Sequence, residues 1–395
     1  MTIMIRLVTL ALVVGYSQST SAQSVSVTDY DQATSAFDEL SINGTIDTGK
    51  SRGDDQNAYY LDLGFDYDQV FFSPDRDLRL RASGNGSIER AGGAGSERQS
   101  RYDYGISTTI DDYIDPGESK AFRYGSVGIQ GIDEFNGRQF TGFVGVGYGR
   151  VKNVTPMATA IRVIEELMSR GELTRAPALR VYQEVANIID LEPTYFSKYG
   201  AAEYIELWIA DVANALQTSG QATDKFEAAE IIRIYEILTR ERISTRKVGW
   251  KLRGGLGYMF RSSNDNSDFD PALELGAEYH YPLSNQTQFS NDAVLTTILV
   301  SGDQWYNFRN VMSLTHEIDD RVDWENSWTL THGMIGPTDA TNTVNALSTA
   351  LIYELRNQLD FTITMTVSNY SGSGAAGTPN GTDTSFFVGL RHRLK

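Results

Sequence analysis

The chain has 395 residues, a formal net charge of −17 and no cysteine. The lack of cysteine excludes a disulfide framework and thiolate chemistry, and the acidic balance argues against nucleic acid as a partner, because nucleic-acid binding needs a basic face. Mean hydropathy is −0.32, a value that does not separate a soluble protein from a transmembrane β-barrel, since only alternate residues of a barrel strand face lipid.

Residues 1–22 are predicted to be a cleaved signal peptide. Arg6 gives a short positive region, Leu7–Val14 an apolar core, and Thr20-Ser21-Ala22 the small residues of a cleavage point before Gln23. The apolar run is too short to span a bilayer as a helix. Residues 23–38 are polar and without pattern, which predicts a periplasmic tail.

Residues 39–154 have the period of two that is typical of strands with one apolar and one polar face. Six strands are predicted, and the fifth of them, Phe122–Ile132, has blurred alternation. The apolar faces of the other five contain Leu40, Ile42 and Ile46; Tyr59, Leu61, Leu63, Phe65 and Tyr67; Leu78, Leu80 and Ala82; Tyr102, Tyr104, Ile106 and Ile110; and Phe140, Val144, Val146 and Tyr148.

Residues 155–246 are the only long stretch with helical periodicity. Thr155-Pro156 predicts an N-cap followed by proline at the first helical position. Four apolar stripes follow, containing Ile161, Ile164, Leu167 and Met168; Val181, Val185, Ile188 and Ile189; Tyr204, Leu207, Trp208 and Val212; and Phe226, Ile231, Tyr235 and Leu238. About four amphipathic helices can bury these stripes against one another as a small bundle.

Residues 247–395 return to the period of two and contain eight further predicted strands. The total of about fourteen, in a range of 12–16, is even, as in bacterial outer-membrane barrels. Long polar connections, such as residues 48–56, 91–100 and 262–268, alternate with tight turns, such as Ser73-Pro74-Asp75 and Ser284-Asn285. This alternation places the helical insert at the end with the tight turns, which is the periplasmic end of such barrels.

The mature chain resembles a bacterial outer-membrane β-barrel protein of the porin-like type. Most apolar faces contain no charged residue, aromatic residues such as Tyr59, Trp250 and Trp324 lie near strand ends, and Gly389–Leu394 is similar to the C-terminal insertion signal of these barrels. The resemblance implies an all-β, antiparallel, up-and-down transmembrane barrel. It also implies contact with outer-membrane lipid and with the barrel-assembly machinery during insertion.

The polar faces predict the residues that line a lumen. The candidates are Asp62, Asp66, Arg79, Arg81, Asp103, Lys251, Arg253, Glu274, Glu278 and Arg391. Opposite charges on adjacent strands are expected to pair, with Asp62, Asp66 and Asp68 beside Arg79 and Arg81, and Lys251 and Arg253 beside Glu274 and Glu278.

The strands on either side of the insert are rich in glycine. The residues concerned are Gly145, Gly147, Gly149, Gly255 and Gly257. One hypothesis is that these positions leave space in the lumen, into which part of the insert leans as a plug or gate. The alternative is that they serve sheet curvature and tight packing.

The residue patterns favour a pore for small hydrophilic solutes over an enzyme. His280 lies near Glu278 without an evident serine nucleophile of matching register, and no metal spacing such as H-E-x-x-H occurs. No cofactor or metal is predicted. The alternative functions are a membrane anchor, or part of an export machine, whose residues 155–246 dock a periplasmic protein, and a secreted soluble β-protein.

Overall fold

The computed structural model describes residues 25–30, 35–50, 56–115, 119–132, 137–263, 266–300, 305–335, 340–356, 359–373 and 380–394. The predicted signal peptide, residues 1–22, lies outside these ranges, as do parts of several connections between strands.

Fourteen antiparallel strands close into one barrel in sequence order, which confirms the predicted fold class. The last strand pairs with the first, so that Asn43 lies opposite Arg391. The strands are β1 Ser35–Gly49, β2 Ala58–Phe72, β3 Arg76–Arg90, β4 Gln99–Tyr113, β5 Ala121–Ile132, β6 Gly137–Asn153, β7 Lys247–Ser263, β8 Asn266–Ser284, β9 Thr287–Ile298, β10 Tyr306–Asp319, β11 Val322–Ile335, β12 Ala340–Arg356, β13 Leu359–Ser373 and β14 Gly381–Leu394.

Large apolar side chains cover the outside of the barrel. Val144 is 72% exposed, Phe269 65% and Leu256 59%, values that are unfavourable in water because each Å² of apolar surface costs about 25 cal/mol. The sheet closes through four residue pairs between β1 and β14, and closure is the condition for a β-structure to cross hydrocarbon, because it pairs backbone groups that lipid cannot solvate. The outer face is therefore the lipid face.

The connection between β7 and β8 differs from the prediction. The polar segment 262–268 was expected to be a long outer loop, but β7 extends to Ser263 and β8 begins at Asn266. These two strands have 17 and 19 residues, so their hairpin continues beyond the apolar rows. The sequence of this part is rich in serine, asparagine and aspartate, a composition that is also typical of a loop.

The insert between β6 and β7 contains five helices, where four stripes were predicted. They are α1 Thr155–Ser169, α2 Leu179–Asp190, α3 Glu192–Tyr199, α4 Tyr204–Thr218 and α5 Ala228–Thr239. None of the helices among the described residues has both the length and the hydropathy to cross a membrane.

The first helix begins differently from the prediction. Val154 rather than Thr155 is the N-cap residue of α1, and it has no side-chain cap. The Thr155 hydroxyl instead donates to Asn153 Oδ1 at 2.6 Å, which ties the start of the helix to the end of β6.

The insert has its own hydrophobic core, to which the N-terminal segment belongs. Trp208, Leu216 and Ile164 are almost fully buried in it. Val27 and Tyr30 are buried against the same cluster, and the Tyr30 hydroxyl donates to Asp190 Oδ2 at 2.8 Å. Residues 25–30 of the predicted tail therefore pack on the insert, and β1 begins at Ser35, ahead of the predicted barrel start at residue 39.

Candidate pore constriction

Contacts between strands that are not neighbours identify the inner face. Lys251 Nζ on β7 lies 2.7 Å from Asp111 Oδ2 on β4, although β5 and β6 separate these strands in the sheet. The Tyr124 hydroxyl on β5 likewise donates to Glu274 Oε1 on β8 at 2.7 Å. In a closed barrel such pairs can meet only through the interior.

The ten predicted lumen residues lie on the inner face by strand register, and they fall into two groups. Arg79, Lys251, Arg253, Glu274 and Glu278 lie in the half of the barrel next to the insert. Asp62, Asp66, Arg81, Asp103 and Arg391 lie outside this group and border open space. Asp66, Arg81 and Arg391 line a cavity of 720 Å³, together with Arg309 from the opposite wall.

Four members of the first group, Lys251, Arg253, Glu274 and Glu278, form a buried ion-pair network with Asp111. Arg253 Nη1 lies 2.7 Å from Glu278 Oε1, and Arg253 Nε lies 3.6 Å from Glu274 Oε1. Lys251 Nζ lies 3.6 Å from Glu278 Oε1 in addition to its closer contact with Asp111. The expected neighbours are present, but the shortest contact of Lys251 crosses the lumen.

Only part of the expected pairing occurs between β2 and β3. Asp68 lies 2.5 Å from Arg79 and 3.9 Å from Arg81. Asp62 instead accepts hydrogen bonds from Asn85 Nδ2 at 3.1 Å and from the Tyr60 hydroxyl at 3.3 Å. Asp62 lies in the half of β2 that is farther from the β2–β3 turn, whereas Asp68 lies in the half next to this turn.

The glycines of β6 and β7 provide close approach, and the space beside two of them is filled by aromatic rings. A Cβ at Gly147 would overlap the Phe122 ring, and one at Gly255 would overlap the Tyr124 ring. The Tyr113 and Phe122 rings meet edge to face with centroids 5.5 Å apart. These glycines therefore make room for side chains of β5, not for the insert.

The remaining three glycines bring two backbones together. A Cβ at Gly145 would overlap the Gly254 carbonyl oxygen, and one at Gly149 would overlap that of Trp250. A Cβ at Gly257 would overlap the Gly142 carbonyl oxygen. The interpretation as tight packing fits these positions.

The insert does reach the barrel mouth, through the segment between α5 and β7. Arg242 Nη2 lies 2.6 Å from Glu325 Oε1, and Arg242 Nε lies 3.1 Å from Asp323 Oδ2. Both acids are on the inner face of β11. Arg242 Nη1 also lies 3.8 Å from Asp360 on β13, which is fully buried. Arg242 thus enters the mouth opposite the ion-pair network.

Two further arginines hold the insert at the mouth. Arg246 has no exposed surface; its Nη2 lies 2.9 Å from Glu317 Oε1. Burial lowers the pKa of Arg246, and Glu317 partly offsets this effect. Arg162 on α1 pairs with Asp320, and it lies 3.3 Å from Glu317 Oε2. We call Arg162, Arg242, Arg246 and their acidic partners Glu317, Asp320, Asp323, Glu325 and Asp360 the arginine clamp.

Neither side of the clamp was predicted from the sequence. Arg242 and Arg246 lie in a segment without periodicity, and their partners are 71 or more residues away. The sequence signal for this segment is the run of charge at residues 240–246, directly before β7.

Removal of one partner from the ion-pair network should destabilise the barrel. In Lys251→Met, Asp111, which is 2% exposed, keeps a buried charge without its cation, and such a loss costs about 3–5 kcal/mol. Urea unfolding of the protein in liposomes, followed by heat-modifiable gel mobility, should show a lower midpoint. Lys50→Met, at an exposed position after β1, is the control and should unfold like the wild type. Equal midpoints for the two variants would show that the cross-lumen pair adds no stability.

A closed antiparallel strand order, an apolar outside and a charged interior occur together in bacterial outer-membrane proteins. The chain is a barrel of this type.

Comparisons with known proteins are consistent with the fold and give no closer relationship. The family model described as "Protein of unknown function, DUF481" matches residues 239–355. A search of the curated proteins finds no match.

Three solved outer-membrane structures illustrate the structural similarity. OmpT of Vibrio cholerae without loop L8 is 8% identical, with 92% of this chain and 100% of that chain covered and a TM-score of 0.32. The β domain of the Bordetella autotransporter BrkA is 7% identical, with 92% and 100% covered and a TM-score of 0.30. OmpF of Salmonella typhi is 10% identical, with 91% and 97% covered and a TM-score of 0.29. Similarity at this level carries no argument about function.

Proposed function

We propose that this protein is a gated outer-membrane pore for small hydrophilic solutes, in which the helical insert closes one mouth. The observation that carries the proposal is the position of Arg242, which belongs to the insert but pairs with Asp323, Glu325 and Asp360 on the inner face of the barrel. A domain that only decorated the barrel would not need to place a charge inside it.

The charged lumen supports a role in passage. Rings and clusters of charged side chains select hydrated solutes by charge in known pores. The cavity of 720 Å³ beside Asp66, Arg81 and Arg391 offers space for such solutes, whereas the ion-pair network and the clamp narrow the half of the lumen next to the insert. Opening would then require the clamp to separate.

Orientation in the membrane follows from the connections. The N-terminal segment and the insert lie at the same end of the barrel as the short turns after β2, β8, β10 and β12. At the other end the β7–β8 hairpin is short, but the connections after β1, β3, β9 and β13 are longer. Bacterial barrels have short turns on the periplasmic side. We therefore assign the insert to the periplasm.

An engineered disulfide across the clamp tests the gate. The Ser244 hydroxyl lies 3.3 Å from Asp323 Oδ2, and the chain has no cysteine of its own, so the variant Ser244→Cys/Asp323→Cys contains the only thiols. In planar bilayers the oxidised protein should have low conductance, and addition of a reductant should raise it.

The single variant Ser244→Cys is the control and should not respond to the reductant. Equal conductance of the oxidised and reduced double variant would contradict the gate. No conductance in any form, with a folded barrel shown by heat-modifiable mobility, would contradict the pore.

The second candidate function is a membrane anchor or export component whose insert docks a periplasmic protein. It is favoured by α3, which has no buried residue and exposes half of the Phe196 side chain, with Leu191 41% exposed beside it. A barrel without conductance in the bilayer experiment would support this function.

A further inference from the structure

Three side chains on the inner face of β8 and β9 form a cluster with metal-binding chemistry. Glu278 and His280 are two residues apart on β8 and therefore point to the same face. Asp292 on β9 is the register partner of Glu278. His280 Nε2 lies 3.8 Å from Glu278 Oε2 and 3.8 Å from Asp292 Oδ1, and the three ligand atoms lie within 4.8 Å of one another.

His280 is buried without a hydrogen-bond partner. Its side chain is 3% exposed, and neither ring nitrogen has a partner among the residues that the structure describes. The separation of 3.8 Å from both carboxylates is too long for a hydrogen bond. Buried polar groups in folded proteins nearly always have a partner, and a ligand held between the ring and the two carboxylates would provide one.

The carboxylates keep free ligand atoms despite the cations nearby. Arg253 contacts Glu278 through Oε1, which leaves Oε2 facing His280. Lys251 is shared with Asp111 at 2.7 Å. Asp292 has a side chain that is 36% exposed, so water can reach the cluster from the lumen and complete a coordination sphere.

We propose that Glu278, His280 and Asp292 bind a divalent transition-metal ion of the Zn²⁺ class in the lumen wall. Ligand distances at Zn²⁺ are about 2.0–2.2 Å, so two ligands of a tetrahedral ion lie about 3.3–3.6 Å apart. The two separations of 3.8 Å from His280 are close to this spacing, whereas the two carboxylates, which lie within 4.8 Å of each other, must approach by up to about 1.4 Å through side-chain rotation when the ion binds. Imidazole suits Zn²⁺, Cu²⁺ or Ni²⁺, whereas Ca²⁺ and Mg²⁺ prefer sites made only of oxygen.

This site revises the prediction that the chain binds no metal. Its ligands come from one strand and from the register partner on the next, a spacing that no sequence motif for metals describes. The site does not depend on whether the barrel conducts, because its ligands belong to the wall itself.

Calorimetric titration of the full-length protein in detergent with ZnCl₂ tests the site directly. The wild type should bind one Zn²⁺ per chain, and His280→Gln and Asp292→Asn should each weaken binding by at least about tenfold, since loss even of outer-shell partners costs that much. His316→Gln is the matched control. This histidine lies on the outer face of β10, where Nδ1 contacts the Thr287 hydroxyl at 2.9 Å, and its loss should leave binding unchanged.

Heat-modifiable mobility must show that each variant is folded. Absence of Zn²⁺ binding by the wild type, or equal binding by the folded His280→Gln and His316→Gln variants, would overturn the proposal. Asp292→Asn gives an independent answer if His280→Gln does not fold, because Asp292 is partly exposed. Binding of CaCl₂ as tightly as ZnCl₂ would overturn the assignment to a transition metal.

Discussion

Replacement of Arg246 by alanine is expected to free the segment between α5 and β7 from the barrel mouth and to raise the open probability of the pore. Arg246 has no exposed surface, and its partner Glu317 has a side chain that is 5% exposed. Removing one member of a buried pair costs about 3–5 kcal/mol. A penalty of 1.4 kcal/mol changes an equilibrium tenfold, so the docked arrangement should lose its advantage.

The loss of Arg246 destabilises the docked arrangement of the segment between α5 and β7, because Arg246 also makes hydrogen bonds that fix this segment at the mouth. Its Nη1 donates to the Ser244 carbonyl oxygen at 3.0 Å, and its Nε donates to the Asn285 carbonyl oxygen at 3.2 Å. These bonds hold the segment to the turn between β8 and β9. Single-channel recording in planar bilayers should therefore show longer open times for Arg246→Ala than for the wild type.

Arg240→Ala is the matched control for this prediction. Arg240 precedes the same segment, but it is exposed and its guanidinium lies over the Tyr235 ring at 5.1 Å, on the insert and away from the mouth. The control should gate like the wild type. Identical open times for the two variants would show that the clamp does not control the pore.

A double-mutant cycle separates the clamp from a general loosening of the insert. Arg242→Ala and Glu325→Gln remove the two ends of one contact, whose atoms are 2.6 Å apart. If the contact holds the mouth closed, the double variant should open little more than Arg242→Ala alone, because residues in contact are not additive. Fully additive effects would assign the opening to another cause.

The strands were predictable from the sequence because lipid and lumen impose opposite demands on alternate residues. Leu61 and Leu63 face outward, and Asp62 between them faces inward, so a local pattern reports a global arrangement. Alternation of apolar and polar residues does not predict a strand where the residues face neither lipid nor the lumen. The sequence at the end of the β7–β8 hairpin has no alternation and predicts a loop, whereas β7 extends to Ser263 and β8 begins at Asn266.

Helix α3 shows the corresponding limit for the insert. Periodicity detects a helix through its buried stripe, and α3 has no buried residue. The four helices with stripes were predicted, whereas the fifth contributes no signal of this kind.

For the candidate pore constriction, the sequence predicts which residues share the inner face but not which of them form contacts. Lys251 was expected beside Glu278, its register partner, but its closest acid is Asp111, 140 residues away. Contacts across a lumen depend on the number of strands that close the barrel and on their tilt. The alternation of residues along one strand predicts neither the strand number nor the tilt. The clamp depends in addition on how the insert docks.

Gly257→Ala is expected to destabilise the barrel strongly, by about 3 kcal/mol or more, which is the upper part of the usual cost of overpacking. A Cβ at this position would overlap the Gly142 carbonyl oxygen and approach Phe143 Cα at 2.8 Å. Both obstacles are backbone atoms of β6, which cannot move without breaking the ladder between β6 and β7. The variant should unfold at a lower urea concentration in liposomes.

Gly142→Ala is the control, because it adds the same methyl group to the facing strand. Gly142 is the register partner of Tyr258, and a Cβ there meets nothing within 4 Å. The methyl group would point to the lipid side, where it costs little. This variant should keep the wild-type unfolding midpoint.

The pair of variants also decides between the two hypotheses for the glycines. If Gly257 served to leave space in the lumen, one methyl group would occupy that space at little cost, and both alanine variants would unfold alike. If Gly257 serves the close approach of β6 and β7, only Gly257→Ala should fail. The second outcome would mean that the lumen beside the insert is narrow because β6 and β7 approach each other closely there. Closure would then rest on the barrel and the arginine clamp jointly, and movement of the insert alone would open only the side of the mouth that Arg242 occupies.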